Sequence, residues 1–304
     1  MKELIKTLVL MTLLTSSALC ARAQKTVAMQ FSELPGDAAG AGKADINLLD
    51  NILLDGNTLE VSLNGMLYSQ SYDPVTYMDF KADYCLRSKI SFSLFGRYGM
   101  GKEYDIYNSG GFEDGTYRPG QILIGVGAGY RLLDFLTAQA QIKIMSEDPA
   151  PEASYNAFAA DLSVTGQFPV KENGKIITEL GVYSAGSKVK SASGAEFPLP
   201  ASVGIQGGYV MDFGKDNEVR FIAKADYYFN NACGAAAAIE TSLADIVSIR
   251  AGYNSGATNI LPSYASVGVS CRVWKTRIDA AYIIAGKESP IANTFSVGIS
   301  YNMR

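Results

Sequence analysis

Apolar and polar residues alternate one by one along most of the chain beyond residue 57. One stretch in the middle has apolar side chains at every second position and polar ones between them, namely Leu136, Ala138, Ala140, Ile142 and Ile144 against Thr137, Gln139, Gln141 and Lys143. A later stretch sets Val219, Phe221, Ala223, Ala225 and Tyr227 against Arg220, Lys224 and Asp226. A period of two puts successive side chains on opposite faces of a β-strand, which a helix cannot do. The pattern therefore predicts an all-β protein.

Fourteen alternating segments can be counted between turn-forming residues. An even number of antiparallel strands is typical of barrels that span the bacterial outer membrane, and the pattern is compatible with twelve to sixteen strands. We therefore predict a transmembrane antiparallel β-barrel over residues 57–304. The predicted strands are 57–69, 76–86, 88–98, 119–132, 135–146, 155–168, 174–186, 199–212, 218–230, 234–244, 246–255, 262–273, 275–285 and 293–303.

The links between these segments are alternately short and long, as expected for tight periplasmic turns and longer external loops. Two links, 213–217 and 231–233, must be short for the count to hold. The predicted long links are 99–118, 147–154, 187–198, 256–261 and 286–292. Tyrosines near strand ends are expected to form girdles at the two membrane interfaces. They are Tyr68, Tyr77, Tyr98, Tyr130, Tyr183, Tyr209, Tyr227, Tyr253, Tyr282 and Tyr301.

Charged residues fall on the polar face of the segments only. In a soluble sandwich that face would be the exterior, whereas in a membrane barrel it lines the lumen and the apolar face contacts lipid. Because the signs are mixed, we expect the charges to pair across a filled or plugged lumen rather than to line an open pore. The predicted inward charges are Asp79, Lys81, Asp83, Arg97, Lys143, Asp161, Glu179, Arg220, Lys224, Asp226, Glu240, Arg250, Arg272 and Asp279.

The N-terminus has the three parts of a secretory signal: Lys2 and Lys6, an apolar stretch from Leu8 to Leu19, and the small-residue site Ala21-Arg22-Ala23. We predict a signal peptide at residues 1–23 and export to the outer membrane of a Gram-negative cell. A lipid anchor on Cys20 is disfavoured because Leu19 precedes it. Residues 24–56 lack the alternation, and we predict a lumen plug in preference to a periplasmic extension or a mobile tail.

Composition removes several classes of function. The chain has no histidine, so His-ligated metal sites and Ser-His-Asp or Cys-His mechanisms are excluded. A formal net charge of −4 gives no basic footprint for nucleic acid. An enzyme would need a Ser-Lys pair, a carboxylate pair or an N-terminal nucleophile. Asp79 and Asp83 are the candidate carboxylates, but Lys81 lies between them, so we predict no enzyme, no catalytic, metal or cofactor-binding residues and no cofactor.

Three segments resemble the PorV/PorQ family of Bacteroidetes outer-membrane proteins. They are the opening Pro35–Asp45, the middle Tyr155–Leu162, and a closing hairpin with Arg277–Tyr282 and Ser289–Ile299. The chain departs from the family after the opening, where Leu48-Leu49-Asp50-Asn51 stands in place of Asn-Pro-Ala. The resemblance implies the fourteen-stranded barrel of FadL-type transporters and a lumen blocked by the N-terminal segment.

The resemblance also implies a role in type IX secretion or the handling of surface proteins, with secretion-system proteins or exported cargo as partners. The alternative is a FadL-like or porin-like channel for hydrophobic or small solutes, which would need a path through the lumen and could bind a hydrophobic ligand. Either role would place the barrel in the lipid bilayer, in contact with lipopolysaccharide.

Overall fold

The computed structural model describes residues 26–46, 57–68, 75–151, 153–170, 174–191, 194–214, 216–287 and 289–303. The predicted signal peptide, residues 1–23, lies outside the described residues. So do residues 24–25 and 47–56 of the predicted N-terminal segment. Within the described part of the chain, no helix is long and apolar enough to cross a membrane.

Fourteen strands form a closed antiparallel barrel, as the alternation predicts. Each strand pairs with its neighbours in the chain, and the first closes on the last, with Leu59 opposite Met303 and Leu67 opposite Phe295. The strands are β1 (Thr58–Leu67), β2 (Thr76–Leu86), β3 (Ile90–Met100), β4 (Gly120–Leu133), β5 (Leu136–Ala150), β6 (Ala153–Pro169), β7 (Gly174–Gly186), β8 (Ser202–Asp212), β9 (Glu218–Tyr228), β10 (Cys233–Leu243), β11 (Val247–Asn254), β12 (Tyr264–Val273), β13 (Thr276–Ala285) and β14 (Thr294–Met303).

The two ends of the barrel differ in the length of their links. The turn end carries 87–89, 134–135, 170–173, 213–217, 244–246 and 274–275. The loop end carries 68–75, 101–119, 151–152, 187–201, 229–232, 255–263 and 286–293. Two of these loops contain small hairpins, one of Tyr104–Tyr107 with Glu113–Tyr117 and one of Val189–Lys190 with Glu196–Phe197.

The predicted long link at 147–154 is wrong. Strand β5 continues to Ala150 and β6 begins at Ala153, with Glu147 opposite Tyr155. The alternation fails to reveal this extension because residues 146–148 are all polar. Where both faces of a hairpin are polar, the period-two signal disappears although the backbone pairing continues.

The faces of the wall are as the alternation predicts. Outward apolar side chains are exposed, while most of the predicted inward charges are buried. A belt of exposed apolar side chains suits contact with lipid acyl chains. Members of this belt on different strands include Leu63, Met78, Ile144, Leu162, Leu180, Phe221, Ile249 and Ile299.

The predicted tyrosine girdle is only partly correct. Tyr98, Tyr130, Tyr253 and Tyr282 are outward and exposed, whereas Tyr68 and Tyr77 are buried inside the barrel. Tyr183 is also inward, with its hydroxyl donating to Glu179 at 2.6 Å. Tyr77 and Tyr183 stand an even number of positions from Asp79 and Glu179, so they share the face of those charges.

Candidate functional site

Residues 26–46, here called the N-terminal segment, lie inside the barrel. A 3-10 turn (Gln30–Glu33) is followed by a short helix, α1 (Ala38–Ala41), capped by the Asp37 side chain, which accepts a hydrogen bond from the Gly40 amide. All four helical residues are buried, and α1 packs against β1, β12, β13 and β14. Because α1 consists of three alanines and Gly40, the segment can lie directly on the wall.

Glycines on both partners make this approach possible. A Cβ added to Gly42 would lie 3.0 Å from the Cα atom of Gly268 in β12, and one added to Gly252 in β11 would lie 2.8 Å from the Ala44 amide nitrogen. Such distances leave no room for a side chain. The contact between segment and wall is therefore backbone against backbone.

Arg97 of β3 binds the segment through its backbone carbonyls. Its Nη1 donates to the carbonyl oxygens of Phe31 at 2.6 Å and Leu34 at 3.0 Å, and its Nη2 donates to that of Pro35 at 2.6 Å. Its Nε donates to Asp79 Oδ1 at 2.6 Å. Asp79 is the cross-strand partner of Arg97, so the carboxylate both neutralises and orients the guanidinium. One buried arginine thus donates to three carbonyls of the segment, of which that of Phe31 also accepts from the Leu34 amide.

Glu33 anchors the other side of the segment. Its carboxylate accepts hydrogen bonds from Tyr228 at 3.1 Å and from Ser184 at 3.4 Å. Burial raises the pKa of Glu33, although the nearby cations Lys143 and Lys224 oppose the shift. A carboxyl held in this environment is neutralised more readily than one in water.

Further hydrogen bonds distribute the attachment around the barrel. The Ala38 amide donates to Asn64 Oδ1 at 3.2 Å, and the Ala44 amide donates to Ser266 Oγ at 3.2 Å. The Ala44 carbonyl accepts from Asn254 Nδ2 at 3.2 Å. These partners belong to β1, β12 and β11, which means that the segment is held on several sides of the lumen.

The loop-end half of the lumen is filled by apolar side chains. Val27, Met29, Phe31 and Ile46 of the N-terminal segment are all buried and join one cluster with side chains of the wall. The wall contributes Met66, Tyr68, Tyr77, Leu123, Met145, Tyr228, Tyr264 and Ile283. Burial of this apolar surface adds a non-directional stabilisation to the hydrogen bonds that hold the segment.

The turn-end half of the lumen contains a polar cavity of about 430 Å³, here called the turn-end cavity. It reaches the barrel rim, because Trp274 and Lys275 of a turn line it together with Asp37 of the segment. A second cavity of about 280 Å³ adjoins it beside Arg97 and Asp79 and shares six lining residues with it. The shared residues are Asp37, Ser62, Asn64, Lys81, Gln139 and Gln141.

Most predicted inward charges form ion pairs within the lumen, as expected for a filled interior. Lys143 lies 3.0 Å from Asp161, and Lys224 lies 3.3 Å from Asp226. Arg250 bridges Glu240 at 3.2 Å and Asp279 at 3.0 Å. Glu179 instead accepts hydrogen bonds from Thr165, Tyr183 and Gln206.

The set of inward charges predicted from the sequence is incomplete. Glu60 and Arg277 also line the turn-end cavity, and Arg277 lies 2.9 Å from Asp279. Arg277 stands two positions before Asp279, so the alternation could have revealed it. Arg97 was predicted to face inward, but its binding of the N-terminal segment was not, because nothing local in the sequence links residues 31–35 to residue 97.

A Ser-Lys contact does occur inside the barrel. Lys143 Nζ lies 3.1 Å from Ser184 Oγ, but it also pairs with Asp161, and Glu33 lies against the serine. In this contact Lys143 Nζ donates to Ser184 Oγ, whereas a base that activates a serine would accept the hydroxyl proton. Among the described residues, no group of three or more Cys, Asp or Glu side chains could hold a metal ion.

No protein-family model and no curated protein sequence matches the chain. Solved structures with the same fold include the toluene transporter TbuX of Ralstonia pickettii, 10% identical, with 90% of this chain and 99% of that chain covered and a TM-score of 0.53. The toluene transporter TodX of P. putida is 12% identical, with 88% and 94% covered and a TM-score of 0.52. A Pseudomonas aeruginosa FadL homologue is 9% identical, with 87% and 98% covered and a TM-score of 0.47.

The two toluene transporters show that this chain shares their fold. The PorV/PorQ assignment and an origin in Bacteroidetes stay predictions of the sequence resemblance.

Proposed function

We propose that this protein is an outer-membrane channel for small solutes whose lumen is closed by the N-terminal segment. The observation that carries the proposal is the attachment of the segment. Residues 26–46 cross the lumen and are bound by side chains from several strands, while a polar cavity remains beneath them. A segment held by hydrogen bonds and apolar packing can be released without opening the wall.

The apolar outer belt and the fold shared with toluene transporters support insertion in the outer membrane and a transport role. In such a barrel, short turns face the periplasm and long loops face outward. The turn-end cavity then opens toward the periplasm, and the apolar cluster closes the side facing the cell exterior. Movement of the segment would join the two sides.

Conductance in a planar bilayer tests this proposal. The refolded full-length protein is compared with a variant lacking residues 26–46, and gel mobility with and without heating verifies that both barrels are closed. We expect few brief openings from the full-length protein and steady current steps from the shortened one. Should the shortened chain not fold, Arg97→Gln tests the same point in the complete protein.

Two results would contradict the proposal in different ways. Free conduction by the full-length protein would show that the segment does not close the lumen. A folded shortened barrel that carries no current would show that the protein is not a channel. Attachment of secreted cargo to such a barrel would then favour the secretion role.

A further inference from the structure

Two arginines stand opposite each other at the rim of the turn-end cavity. Arg272 near the end of β12 and Arg277 near the start of β13 are cross-strand partners, and both line the cavity. Like charges directly opposite on one face destabilise an antiparallel pair. The register therefore places two like charges opposite each other, and an anion between the two guanidinium groups would relieve their repulsion.

Arg272 has room to bind a ligand. It is exposed to the cavity, and its guanidinium makes no hydrogen bond or ion pair with any residue that the structure describes. Arg277 is oriented by Asp279, whose Oδ2 lies 2.9 Å from its Nε. One arginine is thus held in place and the other is able to close on a ligand.

The surrounding wall shares its carboxylates among several cations. Asp279 is shared between Arg277 and Arg250, and Glu240 is shared between Arg250 and Arg220, which lies 3.7 Å away. The inward charges of the turn-end half from β9 to β13, together with the turn residue Lys275, amount to five cations and three carboxylates. They are Arg220, Arg250, Arg272, Lys275 and Arg277 with Glu218, Glu240 and Asp279, here called the arginine wall.

The rest of the turn-end cavity carries charges of both signs, on Asp37, Glu60, Lys81 and Asp83, together with neutral hydrogen-bonding groups. Ser62, Ser91, Ser93, Gln139 and Gln141 line it on the strands β1, β3 and β5. Hydroxyl and amide groups can both donate to and accept from a polar solute. A cavity of about 430 Å³ lies within the range of small-molecule sites. Its side at Arg272 and Arg277 is suited to the charged end of a small polar anion.

We propose that the arginine wall binds the oxyanion of a small solute, a carboxylate or a phosphate group, at Arg272 and Arg277. This inference rests on the proposed channel and names the solute class that it would select. Guanidinium groups bind planar and tetrahedral oxyanions through paired, charge-assisted hydrogen bonds. Because both arginines face the lumen and not the lipid belt, the source of the oxyanion is a dissolved solute rather than a lipid headgroup.

Titration calorimetry of the full-length protein in detergent micelles tests the site, with inorganic phosphate and succinate as probes. We expect saturable binding that Arg272→Gln weakens about tenfold and that Arg272→Lys largely retains. The Arg272 guanidinium has no hydrogen-bond or ion-pair partner among the described residues, so its replacement should leave the fold intact. The matched control is Arg118→Gln, which removes the same charge from an exposed arginine paired with Glu103 in a loop.

The site is refuted if the wild-type protein shows no saturable binding, if Arg272→Gln binds as well as the wild type, or if Arg118→Gln weakens binding equally. Vesicles distinguish the two sources of oxyanion. Equal affinity for phosphate in phosphatidylcholine vesicles with and without phosphatidylglycerol supports a dissolved solute. Loss of binding with phosphatidylglycerol would overturn that part of the proposal.

Conduction separates this inference from the channel proposal. In the variant lacking residues 26–46, we expect Arg272→Gln to shift the reversal potential in a KCl gradient toward that of K⁺. Phosphate binding to a barrel that never conducts would refute the channel and leave the site standing. Conduction with no phosphate binding would refute the site alone.

Discussion

Arg97 makes three hydrogen bonds from the wall to the N-terminal segment. Arg97→Gln would leave three carbonyls and the Asp79 carboxylate without their charged donor in a buried position. Removing one partner of a buried ion pair costs about 3 to 5 kcal/mol. This cost destabilises the docked segment relative to the released one. In Arg97→Gln we therefore expect the ratio of open to closed channels to rise at least about a hundredfold.

Single-channel recording measures that ratio. Asp79→Asn combined with Arg97→Gln should be milder than Arg97→Gln alone, because the unpaired carboxylate is removed as well. An Arg97→Gln channel that stays closed, in a barrel shown to be folded, would mean that the apolar cluster alone holds the segment.

Glu33 should make the attachment of the segment dependent on pH. Burial raises its pKa above the ordinary value of 4.5, so the docked segment binds a proton more tightly than the released one. Docking is then most stable below the ordinary pKa and weakens as pH rises through the raised value. The charged groups around Glu33 are Lys143, Lys224 and Asp226.

We therefore expect the fraction of closed channels to fall as pH increases from the ordinary glutamate range, and Glu33→Gln to abolish this part of the dependence. Single-channel open probability recorded across that range provides the measurement. A wild-type profile that Glu33→Gln leaves unchanged would assign the pH dependence to another group.

At the scale of elements, the N-terminal segment can be fixed to the wall by a disulfide. The Cβ of Ala38 lies 3.5 Å from the position that a Cβ on Gly298 of β14 would take, within the range for a disulfide. The Asn64 side chain, which would meet the new Cβ, must rotate aside. We expect Ala38→Cys with Gly298→Cys to stay closed when oxidised and to regain openings in reductant, as recorded in planar bilayers.

Ala38→Cys alone is the matched control, since it retains the same native thiols without the second partner. A stapled channel that opens as often as the control would exclude movement of α1 from the opening step, even though the rest of the segment could still move.

The barrel strands could be predicted from the sequence wherever one face of the strand meets lipid and the other meets the lumen. Polarity alternates along strands such as β9 because Phe221 is on the outer, apolar face and Lys224 is on the polar face toward the lumen. The loop hairpin of Tyr104–Tyr107 with Glu113–Tyr117 has no such contrast, and the sequence did not reveal it. The path of residues 26–46 was equally beyond prediction, because it is set by distant contacts such as those of Arg97 and not by a local period.

At the scale of the whole molecule, the face of each lumen charge followed from alternation, but its partner did not. Arg97 meets Asp79, and Glu240 meets Arg250, because the strand register places them opposite each other. Register depends on where each turn begins, and a shift of one residue would exchange the faces. The cavity therefore became visible only with the fold, although five of its nine charged lining residues were already assigned to the lumen.

The orientation of the barrel in the membrane decides which side the turn-end cavity serves. Long loops on one end and short turns on the other favour external loops and periplasmic turns. An epitope inserted at Gly110 in the loop of residues 101–119 should bind antibody on intact cells. The same epitope in the turn of residues 213–217 should bind only after the outer membrane is permeabilised. Labelling of the turn on intact cells would place the arginine wall at the cell exterior, where it would meet solutes before the N-terminal segment does.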